Sequence, residues 1–365
     1  LIFLLVLTIS TVAITPLFSI IISLLKTFLI DSFSESNILI TYIKNSFDIL
    51  FFVTVLTIIF GVLPSYLISF FNFSGVNFFK YALILSLAIP PYIYGYSLSS
   101  FFENYGTAFS LLNFLSPNID NSIIPNLSPK IMTIISLSFS LFGYIYLLSM
   151  TTFNSQLSNY IEMSRSLGIS KFNTISKIIF PLSRPAIFIG ISLVAMETLS
   201  DFGTVSFFGI STLTTGIYNS WFIFDDIETS NLLSIVLLGF ILCLFYIENK
   251  FQKKRKFHDS VTKLNQIKPK NLKGFHNLLA FFICFLIFFI SFIFPVLQMI
   301  YWSIKHSNYL DNINLLALNL NTLFLIITTS TILISFSFFC NFGNRLLKNN
   351  FLNTISSLSI SGYAI

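Results

Sequence analysis

Of 365 residues, 55% are apolar and 9% are charged, against about 25% charged in an ordinary soluble domain. The charges are also segregated: residues 1–25, 49–79, 131–161, 274–304 and 312–344 carry none, and each run is as long as the roughly 20 apolar residues a helix needs to cross a bilayer. That pattern excludes a soluble fold, and the net charge of +6, which would suggest nucleic acid in a soluble protein, belongs here to membrane topology.

Taken in chain order, the apolar runs predict nine helices near 1–25, 47–71, 80–101, 131–153, 184–203, 231–248, 276–303, 319–341 and 351–365, the last one cut. The chain begins at Leu1 and stops at Ile365 within apolar sequence, which reads as a fragment open at both ends. Residues 1–25 lack a basic leader and a small-residue cleavage site, so a spanning helix fits them better than a signal peptide. Ala88-Ile89-Pro90-Pro91 predicts a kink in the third span. The 46 phenylalanines are lipid-facing and packing material.

Lysine and arginine mark the cytoplasmic side of short loops. Arg165, Lys171, Lys177 and Arg184 lie between spans four and five, and nine basic residues from Lys250 to Lys273 follow span six. Arg345 and Lys348 follow span eight, and with Lys80 these make 16 of the 20 basic residues. All fall on one side if the spans alternate. The start of the first span, the loop 154–183 and the linker 249–275 are therefore expected in the cytoplasm. The opposite loops hold Lys26, Lys44, Lys130 and Lys305, with Asp225, Asp226 and Glu228 after span five.

The basic linker 249–275 divides the chain into residues 1–248 and 276–365, and the two sides are alike. "KNSFDILFFVTVLTIIF" at 44–60 resembles "LNTLFLIITTSTILISF" at 320–336, and "SLAIPPY" at 86–92 resembles "SLSISGY" at 357–363. The reading is a tandem repeat: a first half of six spans, 1–248, and a truncated second half beginning at 276.

The segment 160–185, "YIEMSRSLGISKFNTISKIIFPLSRP", is polar enough to leave the membrane yet patterned as two short helices. Gly168 suits the left-handed residue that ends a helix, and Ser170 can cap the next. Phe172, Ile175 and Ile179 recur at helical spacing as one apolar stripe. Pro181 is expected to end that helix, and Pro185 to sit in the first turn of the next span. The stripe must bury itself in lipid, in its own bundle or in a groove of a partner.

This segment resembles the signature loop of binding-protein-dependent ABC importer permeases, which reads Glu-Ala-Ala, three residues, Gly, nine residues, Ile, any residue, Leu, Pro. Glu162, Met163, Ser164, Gly168, Ile178, Phe180 and Pro181 occupy the matching positions; Met163, Ser164 and Phe180 depart from the pattern. The resemblance implies an all-α integral membrane protein, a multi-span helical bundle of the MetI-like permease type. It implies that the loop 160–182 is a coupling helix gripped by cytoplasmic ATP-binding cassette ATPase subunits, two copies in all. Glu162, Ser164, Arg165, Gly168, Ile178 and Pro181 would serve that contact, with polar contacts from Glu162 and Arg165, a bend at Gly168 and the re-entry angle set by Pro181. ATP and magnesium would belong to the ATPase; this chain has no Gly-x-x-x-x-Gly-Lys phosphate loop. An external binding protein would hold the substrate.

Residues 196–222, "METLSDFGTVSFFGISTLTTGIYNSWF", resemble a stretch of the two-domain ferric-iron permeases, which fuse two halves in one polypeptide. Thiamine importers share that plan, and polyamine importers are related. Glu197 and Asp201 lie four apart on one helix face. Buried carboxylates of this kind face a cavity or a partner, so with Tyr218 they are candidates for a substrate path; the bland alternative has Glu197 packed on polar neighbours and Asp201 ending span five. Cys243, Cys284, Cys340, His258, His276 and His306 have no metal-ligand spacing. No catalytic constellation supports an enzyme. A gradient-driven transporter would need partnered ionisable groups at mid-membrane, for which Asp48 and Glu197 are the candidates.

Overall fold

The computed structural model describes residues 6–12, 15, 22, 36–116, 123–156, 163, 164, 166–253, 269–305 and 314–347. Most of the expected first span, the linker from 254 to 268 and the ninth helix, 351–365, lie outside them, as do Glu162 and Arg165.

The fold is an all-α, multi-span bundle. In chain order it comprises α1 (Ser36–Phe70), a two-residue strand β1 (Phe71–Asn72), α2 (Val76–Ala82) with a 3-10 turn (Leu83–Ala88), α3 (Pro91–Phe102), α4 (Thr107–Leu115) and α5 (Pro129–Gln156). Next comes α6, running as Lys171–Thr174, a π-turn (Ile175–Ile179) and Phe180–Ser200, then α7 (Gly203–Phe207), α8 (Leu213–Tyr218) with a π-turn (Asn219–Ile223), and α9 (Ile227–Lys253). Strand β2 (Lys270–Asn271), α10 (Phe275–Phe288, a π-turn Phe289–Ile293, and Phe294–Lys305) and α11 (Leu315–Leu347) complete it. Among the described residues, six helices are long and apolar enough to cross a membrane, or seven if one bent pair counts as a span.

That bent pair corrects the third expected span, 80–101. Val76–Ala88 and Pro91–Leu115 meet at 91°. Proline drives its predecessor out of the helical region: Ile89, before Pro90, is extended (φ −102°, ψ 112°), and Pro91 then opens α3 in its first turn. The expected kink is a right-angled break.

A second correction concerns Pro181 and Pro185. Neither ends nor begins a helix, because α6 continues through both. A proline removes one helical N–H and crowds the carbonyl four residues back. The π-turn just before Pro181, closed by Phe180 N–H donating to Ile175 O, widens the helix at that point. The same arrangement precedes Pro295, where Phe294 N–H donates to Phe289 O. The carbonyl of Ile290 is left without its helical donor and accepts the Tyr94 hydroxyl at 3.0 Å.

The chain divides into two compact units that interleave in sequence. One takes in Glu35–Tyr218 and Cys243–Met299, the other Leu1–Ser34, Asn219–Leu242 and Ile300–Ile365. In the first, α5 is the most enclosed span, 61% buried in its apolar window. Small residues let neighbours approach it, as in membrane helix packing generally: a Cβ on Gly61 of α1 would meet Ile145 at 2.9 Å, and one on Gly190 of α6 would meet Ile145 at 3.0 Å. Helix α10, expected to open a second half, packs in this unit through Ala280, Cys284, Ile287 and Phe288, in one cluster with Phe79, Leu83 and Tyr146.

This unit has two distinct ends. At one, Phe70, Phe153 and Ile179 pack together, and β1 pairs in parallel with β2, Asn72 Nδ2 donating to Asn271 Oδ1 at 2.9 Å. At the other, Lys130 pairs with Asp48 at 2.6 Å, and Leu213 N–H donates to Ser46 Oγ at 2.9 Å. The loops at 71–75 and 269–274, expected on one side of the membrane, meet at the same end.

In the second unit, none of the apolar window of α11 is buried. Its hydroxyls turn inward instead: Thr322, Thr328, Thr329, Thr331 and Ser335 donate to carbonyls four residues back at 2.6–2.9 Å. A helix apolar on all sides with its polar groups satisfied internally suits a lipid environment.

Candidate functional site

Two features of the first unit are candidates for function, and α6 joins both. The first is an elbow just before it. Leu167 N–H donates to Met163 O at 3.0 Å and Ile169 N–H donates to Ser164 O at 3.0 Å. The second bond spans six residues and, with Gly168 at φ +68°, makes a Schellman helix end. A Cβ on Gly168 would meet nothing within 4 Å, so the glycine is required by its dihedral angle and not by space. Ser170 starts the next helix as expected: Asn173 N–H donates to its Oγ at 3.4 Å, and Thr174 N–H to its carbonyl at 2.9 Å. Thr174 Oγ1 also donates to Ser164 Oγ at 3.3 Å, and both residues are buried. Ser164 therefore locks the two arms together and faces inward.

Two residues of the apolar stripe, Ile175 and Ile179, go to the chain's own bundle; the Phe172 side chain lies outside what is described. Ile179 is buried with Phe70 and Phe153, and Ile175 and Leu182 pack against that cluster; Ile178 is half-buried. With Ile175 and Ile179 committed, the tip of the elbow stays bare: Met163 is 63% exposed, Leu167 75% and Ile169 38%.

The second feature is a cavity of about 360 Å³ at the far end of α6. Its wall combines the break in the third span (Leu87, Ile89, Pro90, Pro91), one face of α5 (Ser140, Leu141, Tyr144) and the end of α6 (Glu197, Ser200, Asp201, Phe202). The Tyr144 hydroxyl donates to Glu197 Oε1 at 3.4 Å. Asp201 stops α6 and caps α7, its Oδ2 accepting from Thr204 N–H at 3.0 Å and Val205 N–H at 3.1 Å, its Oδ1 from Thr204 Oγ1 at 3.0 Å. Its carbonyl accepts from Thr214 Oγ1 at 2.8 Å. Asp201 is thus both helix cap and cavity wall.

Glu197 and Asp201 are brought together as expected from their spacing; Tyr218 is not in the wall. Its ring packs on Phe202, centroids 4.6 Å apart, one layer back. Sequence reasoning missed Ser140 and Tyr144. Ser136, Ser138 and Ser140 recur as a run of hydroxyls in α5, but nothing in the run singles out Ser140. Pro90 and Pro91, expected only to bend a helix, also form wall. Among the described residues, no three His, Cys, Asp or Glu come together as a metal-binding group.

The first unit thus carries, along one helix, a bent elbow at one end and an acidic, partly enclosed cavity at the other. On sequence the chain is similar to ABC-type permeases. It is 27% identical over 263 residues to the Fe(3+)-transport system permease protein FbpB 2 of Haemophilus influenzae, covering 72% of this chain and 48% of that protein. The chain thus spans about half the length of that relative. It is 23% identical over 194 residues to a permease named for sulfate transport in Chlorella vulgaris, covering 53% of this chain and 70% of that one. A third relative, from Salmonella typhimurium and named for 2-aminoethylphosphonate transport, is 22% identical over 219 residues, 58% of this chain and 74% of its own. Among solved structures, a bacterial alginate ABC transporter in complex with its alginate pentasaccharide-bound periplasmic protein matches with a TM-score of 0.48 at 14% identity, over 66% of this chain and 95% of that one. No protein-family model matches.

Proposed function

We propose that the chain is the permease subunit of an ABC importer of the bacterial inner membrane, driven through its elbow by a separate ATPase. The observation that carries this reading is the bare apolar tip, Met163, Leu167 and Ile169, on a bend fixed by Gly168 and the Ser164–Thr174 bond. A surface of that kind on a rigid support suits docking into a partner's groove. The elbow faces the cytoplasm in this reading, where two ATPase copies would grip it with ATP and magnesium bound on their side. Glu162 and Arg165 would add polar contacts. A binding protein outside would deliver substrate, and the tandem halves would rock about the path between them.

Ferric iron is the substrate this reading favours. Support comes from the run 196–222 and from the name of the Haemophilus relative. Sulfate and 2-aminoethylphosphonate are the rivals raised by the other relatives' names; thiamine and polyamines are those raised by the fused plan.

The test is co-purification of the full-length protein with its ATPase from membranes. The native protein should retain the ATPase, and Gly168→Val should lose it while the bundle stays folded. Equal retention by both proteins would remove the elbow from the mechanism.

A further inference from the structure

We propose that the cavity holds a hard, multivalent metal cation in passage through Glu197, Asp201 and the Ser140 hydroxyl, and turns away oxyanions; this rests on the permease reading above.

Three observations carry it. The wall contains two carboxylates and no Lys, Arg or His. In a low-dielectric interior such a pair attracts a cation and repels an oxyanion strongly. The amides that an oxyanion could use are already occupied, since Thr204 and Val205 N–H both donate to Asp201.

Ser140 supplies the independent observation. It is 1% exposed, it lines the cavity, and its Oγ has no hydrogen-bond partner. Ser136 and Ser138, nearest it on α5, donate to the carbonyls of Met132 and Ile134 at 2.7 and 2.6 Å, and of the other buried serines without a partner, Ser69, Ser149 and Ser291, none lines the cavity. A buried hydroxyl left unsatisfied in apolar surroundings is costly unless a ligand meets it. Here it lies in the same wall as the two acids.

The donor set sets the class. Carboxylate and hydroxyl oxygens favour hard cations over soft ones. An ionised carboxylate offers about four acceptor positions, and Asp201 uses three on its cap. With one acidic group partly committed and the other hydrogen-bonded to Tyr144, the grip is loose, as a conducting path needs. The volume, about 360 Å³, leaves room for a cation that keeps part of its water.

The probe is terbium(III), a hard trivalent ion whose luminescence a nearby tyrosine, here Tyr144, sensitises. The full chain in lipid nanodiscs should give saturable luminescence. Glu197→Gln should weaken it about tenfold or more, Ser140→Ala about threefold, and Asp226→Asn, outside the cavity, should leave it unchanged. Sulfate and 2-aminoethylphosphonate should show no binding by calorimetry. Terbium binding indifferent to both cavity variants, displacement of terbium by spermidine or thiamine, or sulfate binding that Ser140→Ala weakens would each overturn the proposal. Ser140→Ala removes one oxygen and touches no cap, so it decides the matter if Glu197→Gln does not fold. ATPase capture keeps the two readings apart: terbium binding lost with capture intact sinks the cation site alone, and the reverse sinks the permease reading alone.

Discussion

The elbow and the cavity sit at opposite ends of one helix yet are made in opposite ways. From Ile179 to Glu197 is about 27 Å at 1.5 Å per residue. The elbow is local: every bond that shapes it joins residues no more than ten apart, and its tip is exposed. The cavity is assembled from three segments around residues 87–91, 140–144 and 197–202, and its special groups face inward. A stiff helix anchored in both regions can carry a push at one end to a change of shape at the other. In the proposed reading, the exposed end is where the chain meets a partner and the enclosed one where it meets a solute.

Four variants sharpen or break that contrast. Ile179→Ala should do the most damage, about 2–4 kcal/mol by the usual cost of emptying a packed core site, since Ile179 joins the elbow to Phe70 and Phe153. Thermal unfolding in detergent would measure it, and ATPase capture should fall with it. Gly143→Val should cost about 1–3 kcal/mol through overpacking, because a Cβ there would meet Leu87 Cγ at 2.7 Å and Ser86 Oγ at 2.9 Å. Leu87 is cavity wall, so terbium binding should change while capture persists.

Gly168→Val should cost about 1–2 kcal/mol, the strain of a left-handed dihedral, with nothing nearby to clash. That strain falls on the elbow: melting should drop modestly, cation binding should stay unchanged and capture should be lost. The smallest effect belongs to Asp226, which caps α9 by accepting from Thr229 N–H at 3.0 Å and from the Thr229 hydroxyl. Asp226→Ala should cost about 1 kcal/mol. The Thr229 hydroxyl and N–H hold the Asp226 carboxyl below its ordinary range. A depressed folded value means stability present at neutral pH and lost as pH falls through the carboxylate range. Melting curves of native protein and variant should therefore converge in acid.

The contrast also explains what could be read from the sequence. Gly168, Ser170 and the Ile175–Ile179 stripe are short-range signals, and each does what its residue type suggests. Pro181 misled because a π-turn one step earlier lets the helix absorb it, as another does before Pro295, and residue spacing does not announce a π-turn. Ile89-Pro90-Pro91 was legible as a bend, yet its place in a wall depends on α5 and α6, which supply the facing residues. Ser140 was illegible: nothing in its sequence neighbours distinguishes it from Ser136 or Ser138, and the cavity it lines is completed by residues 87–91 and 197–202, far off in the chain. Tyr218 fits the same lesson, chemically suited to the path but set behind Phe202.

The central claim is that the elbow tip lies on the inner face and is gripped by the ATPase. It is tested most directly by Leu167→Cys in a chain whose Cys243, Cys284 and Cys340 are replaced by serine, treated with a membrane-impermeant maleimide. Labelling from the inner face only, suppressed when the ATPase is bound, is the result expected. Labelling from the outer face, or labelling the ATPase does not suppress, would contradict it.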